Sequence, residues 1–132
     1  MIDRSAINKT IEQLEERSYG DPKTAATPMV KRCLELCKIP LHNFTIGDLR
    51  LMIGQEFSLA YLIPMALVHL RQDLFVEGDY YPGDLLNAVV TVDSEFWVKN
   101  RLLWDELNLL FASGRDEMTT RKIDMTLFDT AL

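Results

Sequence analysis

The chain has 132 residues, 48% of them hydrophobic and 26% charged, with a formal net charge of −6. That length suits one compact domain spanning residues 1–132 with a core that needs no disulfide or structural metal, and the composition excludes disorder along the whole length. The acidic balance argues against DNA or RNA as a partner, since basic residues are scattered singly or in pairs such as Lys31-Arg32 and Arg121-Lys122.

A first helix is expected after Ser5 or Asp3, carrying Ala6, Ile7, Ile11 and Leu14 on one stripe and ending near Arg17. Tyr19-Gly20-Asp21-Pro22 signals a turn. Thr27-Pro28 is a strong helix entry, a hydroxyl cap followed by Pro at the first helical position, and it turns Val30, Cys33, Leu34 and Cys37 inward. The two cysteines, four apart on a helix, read as small buried hydrophobes rather than a metal or redox pair. Pro40 stops that helix, and Thr45 with Asp48 three residues on opens the next through a capping pattern, with Ile46, Leu49, Met52 and Ile53 inward.

Leu59 to Leu70 is almost continuously apolar and should form the centre of the core, with a kink or break at Pro64. Glu77 to Gly83 is a structured turn, after which Pro82 and Asp84 launch a helix through Val90; a strand over Ala88–Val92 is the rival reading. Asp93 or Ser94 caps a segment carrying Phe96 and Trp97, interrupted at Asn100. Leu102, Leu103, Leu107, Leu110 and Phe111 then repeat at helical spacing up to Gly114. The tail, with Met118, Ile123, Met125, Leu127 and Phe128, has weak periodicity and is expected as a short helix or strand, or as a frayed end. The sum is an all-α single-domain bundle of about seven helices.

Charge is unevenly spread. Residues 1–71 hold nine basic and eight acidic side chains, and residues 99–132 hold five and six. The interval 72–98 holds Asp73, Glu77, Asp79, Asp84, Asp93 and Glu95 with no Lys or Arg, so the whole excess lies in one window. Such a window steers a basic protein toward it, or serves only as a solvated face.

The chemistry of a hydrolase finds little support. His42 follows a Pro-Leu pair in a loop, His69 lies in the apolar helix, and neither has ligand spacing with another His or Cys. Glu77, Asp79 and Asp84 lack the alternation of an EF-hand loop, and no phosphate loop, nucleophile elbow or dinucleotide fingerprint is present. The expectation is therefore no enzyme, no cofactor and no metal. Protein binding remains, with Tyr80 and Tyr81 readable either as anchors beside carboxylates or as a turn pinned into the core.

Three ordered blocks carry a family resemblance: Thr45-Ile46-Gly47-Asp48-Leu49-Arg50-Leu51-Met52-Ile53-Gly54-Gln55, then Tyr61-Leu62-Ile63-Pro64, then Glu77-Gly78-Asp79-Tyr80-Tyr81-Pro82-Gly83-Asp84-Leu85-Leu86. With Pro28-Met29-Val30-Lys31-Arg32-Cys33, Pro40-Leu41 and Phe44 ahead of them and Phe96-Trp97 behind, the chain resembles the immunity proteins of contact-dependent growth inhibition systems over about residues 15–104. Residues 1–14 and 115–132 fall outside the matched pattern.

The resemblance implies a small cytosolic inhibitor of the cognate C-terminal toxin domain of a large exoprotein. Such toxins are often ribonucleases or deoxyribonucleases, whose basic clefts an acidic inhibitor can occupy. On that implication Glu77, Asp79, Tyr80, Asp84, Asp93 and Glu95 are the candidate toxin-binding residues. A metal-dependent or hydrolytic enzyme built on the same carboxylates, and a structural adaptor, are the alternatives; the oligomeric state stays open.

Overall fold

The computed structural model describes residues 4–132, and the described residues fold into helices without a strand. In order they are α1 (Ile11–Glu15), α2 (Pro28–Leu36), α3 (Ile46–Gly54), α4 (Leu59–Gln72), α5 (Asp84–Val90), α6 (Ser94–Lys99), α7 (Arg101–Phe111), α8 (Arg115–Thr120) and α9 (Thr126–Asp129), with short 3-10 turns at Ala6–Asn8, Pro22–Thr24, Leu41–Asn43 and Ala112–Gly114.

The entries follow local chemistry. Thr10 and Gln13 form a reciprocal capping box, which starts α1 at Ile11 and splits the expected first helix into a 3-10 turn and an α-helix. The alternative cap Asp3 lies outside the described residues. Thr27 accepts from the Val30 N–H with Pro28 at the first position of α2. Thr45 and Asp48 make a full capping box on α3, the shorter Asp serving where Glu or Gln is usual.

Helix α3 lies at the centre, packed against both α4 and α5. Leu49, Met52 and Ile53 from α3, Leu62, Ile63, Ala66 and Leu70 from α4, and Leu85, Leu86, Val89 and Val90 from α5 fill the core. Helix α4 is continuous through Pro64. Proline there costs one bond, to the carbonyl of Ala60; Ala60 is exposed, so water can satisfy that oxygen and no break results. The rival strand over Ala88–Val92 is absent, because α5 begins at a turn fixed by Asp84 and buries its apolar residues helically.

Two inward assignments are corrected. Val30 is exposed near the start of α2, and Leu102 is 80% exposed. On α7 the buried residues are Leu107 and Phe111; at about 100° per residue Leu102 lies on the opposite side. Asn100 does interrupt the segment, separating α6 from α7.

The tail is docked. Phe128 of α9 is fully buried, stacked on Trp104 (centroids 5.1 Å apart) and edge-on to Trp97 and Phe111. Trp104 Nε1 donates to the Phe128 carbonyl at 2.9 Å, and Arg115 of α8 makes a two-pronged pair with Asp129 at 2.8 Å. Phe128→Ala should therefore lower unfolding free energy by about 3–5 kcal/mol in a urea titration.

Cys33 and Cys37 are buried free thiols. Burial, with a smaller contribution from the Glu12 carboxylate, pushes the Cys37 thiol from 9.0 to about 11. Burial and the hydrogen bond to Glu15 push the Tyr19 phenol from 10.0 to about 12. Both groups keep their protons longer folded than unfolded, so their contribution is complete below about pH 9 and is lost as the pH climbs toward the folded values. Urea midpoints should fall as the pH climbs from about 9 toward 12, and Cys37→Ala should flatten the part of that decline below about pH 11.

Candidate functional site

The turn between α4 and α5 is built around one carboxylate. Asp84 Oδ1 accepts the Gly78 N–H at 2.6 Å and Oδ2 accepts the Tyr80 N–H at 3.0 Å. Arg50 of α3 brings its Nε to 4.0 Å from Oδ2 and its guanidinium carbon to 4.5 Å from the centre of the Tyr80 ring. An isolated antiparallel bridge between Glu77 and Pro82, and Gly83 at φ 93°, complete the reversal into α5.

Two glycines let this turn touch the start of α3. A Cβ on Gly47 would overlap the Asp79 carboxylate. A Cβ on Gly78 would come within 3.2 Å of both Asp84 oxygens and the Gly47 Cα. The blocks at 45–55 and 77–86, distant in sequence, are therefore one structural unit. Asp48, 8% exposed, serves the same unit by capping α3 and accepting from Arg32 at 3.2 Å.

The six candidate residues are distributed as follows. Glu77, Asp79 and Tyr80 are exposed on the turn, Tyr80 by 70%. Asp93 and Glu95 are exposed at the start of α6, where Asp93 accepts from the Glu95 N–H and Glu95 pairs with Lys99 at 3.2 Å. Asp84 differs from the rest: at 3% exposure it lies inside, holding the turn that carries the others.

A groove of about 200 Å³ runs between α3 and α5, lined by Arg50, Gly54, Tyr80, Tyr81, Asn87 and Thr91. Its end at Gly54 and Thr91 is two residues from Glu56 and Asp93, which with Glu95 and Lys99 line a second depression of about 250 Å³. The turn and the α6 entry each border a depression of their own. Sequence reading left Arg50 and Glu56 out of this set. Arg50 had a signal in its place within the first block, whereas Glu56 depends on the left-handed turn after α3 (φ 59°), which has none.

Among the described residues no group of three or more His, Cys, Asp or Glu is arranged to hold a metal ion, and no helix is long and apolar enough to cross a membrane. The architecture is helical, with a charged, aromatic face formed by the 77–84 turn. The sequence model of the CDI immunity proteins matches residues 7–107, and the chain belongs to that family of toxin-neutralising proteins. No curated protein and no solved structure matches the chain.

Replacing Asp84 by Ala would strand two backbone N–H groups and leave Arg50 without its carboxylate. The expected cost is about 3 kcal/mol, measurable by urea unfolding.

Proposed function

We propose that the chain, acting as one immunity domain in the cytosol, neutralises its cognate toxin domain by stoichiometric, non-covalent binding through the stripe that runs from Glu77, Asp79 and Tyr80 to Asp93 and Glu95. The observation that carries this reading is the exposed Tyr80 ring, seated on Arg50 and set between exposed carboxylates in a window with no Lys or Arg. A ring already stacked loses little freedom when a partner covers it, which favours its use as an anchor.

The partner that fits is basic, and a nuclease is the class whose function requires a basic cleft. The exposed carboxylates of the turn and of the α6 entry would take the place of substrate phosphates, raising the encounter rate and blocking the cleft. Asp84 acts here by position: it holds the Tyr80 backbone and faces Arg50, without reaching a partner itself.

Calorimetry with the purified toxin domain tests the reading. Glu77→Lys, Asp79→Lys, Asp93→Lys and Glu95→Lys should each weaken binding about tenfold or more and flatten its salt dependence, while Tyr80→Ala should cost about 30-fold. Thermal melts should stay near wild type for Glu77→Lys and Glu95→Lys, while Asp93→Lys, which removes the α6 cap, and Asp79→Lys, which sets a cation at the start of α3, should each lose about 1 kcal/mol without unfolding the protein. Unchanged affinity in all five variants would remove the stripe as the binding face.

A further inference from the structure

One guanidinium on the acidic face keeps its donors unspent. Arg32, Arg71, Arg115 and Arg121 each donate a hydrogen bond to a carboxylate, at 3.2, 3.0, 2.8 and 2.7 Å. Arg50 does not: its Nε is 4.0 Å from Asp84 Oδ2, beyond hydrogen-bond reach, and none of its nitrogens has a hydrogen-bond partner among the described residues. The side chain is 22% exposed, with the Tyr80 ring centre 4.5 Å from its guanidinium carbon. Nε is buried, whereas the two terminal nitrogens keep contact with solvent. The fork is thus held in place and largely drawn out of water, with no acceptor from its own chain.

Arg50 lines the groove of about 200 Å³ between α3 and α5. Gly54 follows it one turn later on α3, and a Cβ there would meet nothing within 4 Å, so the groove stays open beside the guanidinium. Asn87 of α5 lines the same groove; its carbonyl accepts from Thr91, while its side-chain amide has no hydrogen bond among the described residues. Donors from two helices therefore border one space. A planar acceptor with two oxygens matches such a fork better than a single carbonyl does. A small free carboxylate would be repelled by Glu77 and Asp79, exposed on the adjoining turn, whereas one carried on a basic surface is drawn in by those same charges.

We propose that Arg50, with Asn87 beside it, receives a carboxylate from an Asp or Glu side chain of the toxin domain. The inference rests on the reading of the acidic face as the toxin-binding surface, and it narrows the partner to a cleft that is basic at its rim and carries an acidic side chain within. Clefts that hydrolyse phosphodiesters combine those features, with cations for the phosphates and a carboxylate as general base, general acid or metal ligand. The immunity face mirrors that pattern, with carboxylates around one guanidinium. A cleft that is basic throughout would leave Arg50 facing a like charge, so the same residue discriminates between partners.

Gly54 provides the test, because a side chain added there enters the groove beside Arg50 without touching the core. Gly54→Glu sets a carboxylate four residues after Arg50, where it takes the fork within the chain, and Gly54→Lys fills the same space with a cation. In calorimetry with the purified toxin domain, Gly54→Glu should bind about tenfold or more weaker than Gly54→Lys, which should stay within about threefold of wild type. Thermal melts of both variants should show a cooperative transition like that of wild type. A face that recognises the toxin by acidity alone gives the reverse order, and that result, or equal affinities, overturns the proposal. Glu77→Lys and Glu95→Lys separate the two claims. If they weaken binding while the Gly54 pair fails the expected order, the Arg50 contact alone falls; if they leave binding unchanged as well, the acidic face falls with it.

Discussion

The structure depends on how one buried carboxylate is satisfied. Asp84 is 3% exposed, and a charge at that depth is tolerated only when its oxygens are occupied. Two backbone N–H groups from its own turn occupy them, and Arg50 of α3 stands across from it. The same three contacts close the turn, start α5 and fix α5 against α3. Arg50 Nε makes no hydrogen bond, so the guanidinium is held by the nearby carboxylate and the Tyr80 ring. That combination orients the ring as well as the cation.

Helix α3 can serve as the hub because its first turn has almost no side-chain bulk on the side facing the 77–84 turn. Gly47 and Gly78 bring two backbones close enough for the Asp79 carboxylate to lie over the start of the helix, where its positive end favours an anion. Asp48 caps the same turn from within and ties it to α2 through Arg32. Two carboxylates, Asp48 and Asp79, therefore converge on one helix entry, and of the two only Asp79 is exposed. The acidity of this region has a structural share as well as a surface share.

Much of the fold was legible because the helix entries are local. Thr27-Pro28 and Thr45 with Asp48 state their conformation within four residues, and the structure follows them. What was illegible depends on distant partners. Asp84 read as a surface charge because its acceptors are filled by backbone N–H groups, which leave no mark in a sequence. Phe128 read as part of a loosely patterned tail because the pocket that holds it is assembled from Trp97, Trp104 and Phe111, on two other helices. Leu102 read as core because a run of leucines satisfies several helical phases at once, and only the packing of Leu107 and Phe111 selects the buried one.

This division has a consequence for how such a protein can change partners. The carboxylate and glycines that shape the turn are buried or sterically confined, so substitution there disturbs the fold before it alters any contact. Glu77 and Glu95 stand on the same scaffold but project into solvent, where replacement costs little stability. Tyr80 joins the two sets: its N–H is held by Asp84 while its ring is free on one face. A chain built this way can keep the 45–55 and 77–86 unit intact while the side chains around it vary. Recognition can then be retuned by charge and shape at the rim, with the backbone that presents it unchanged.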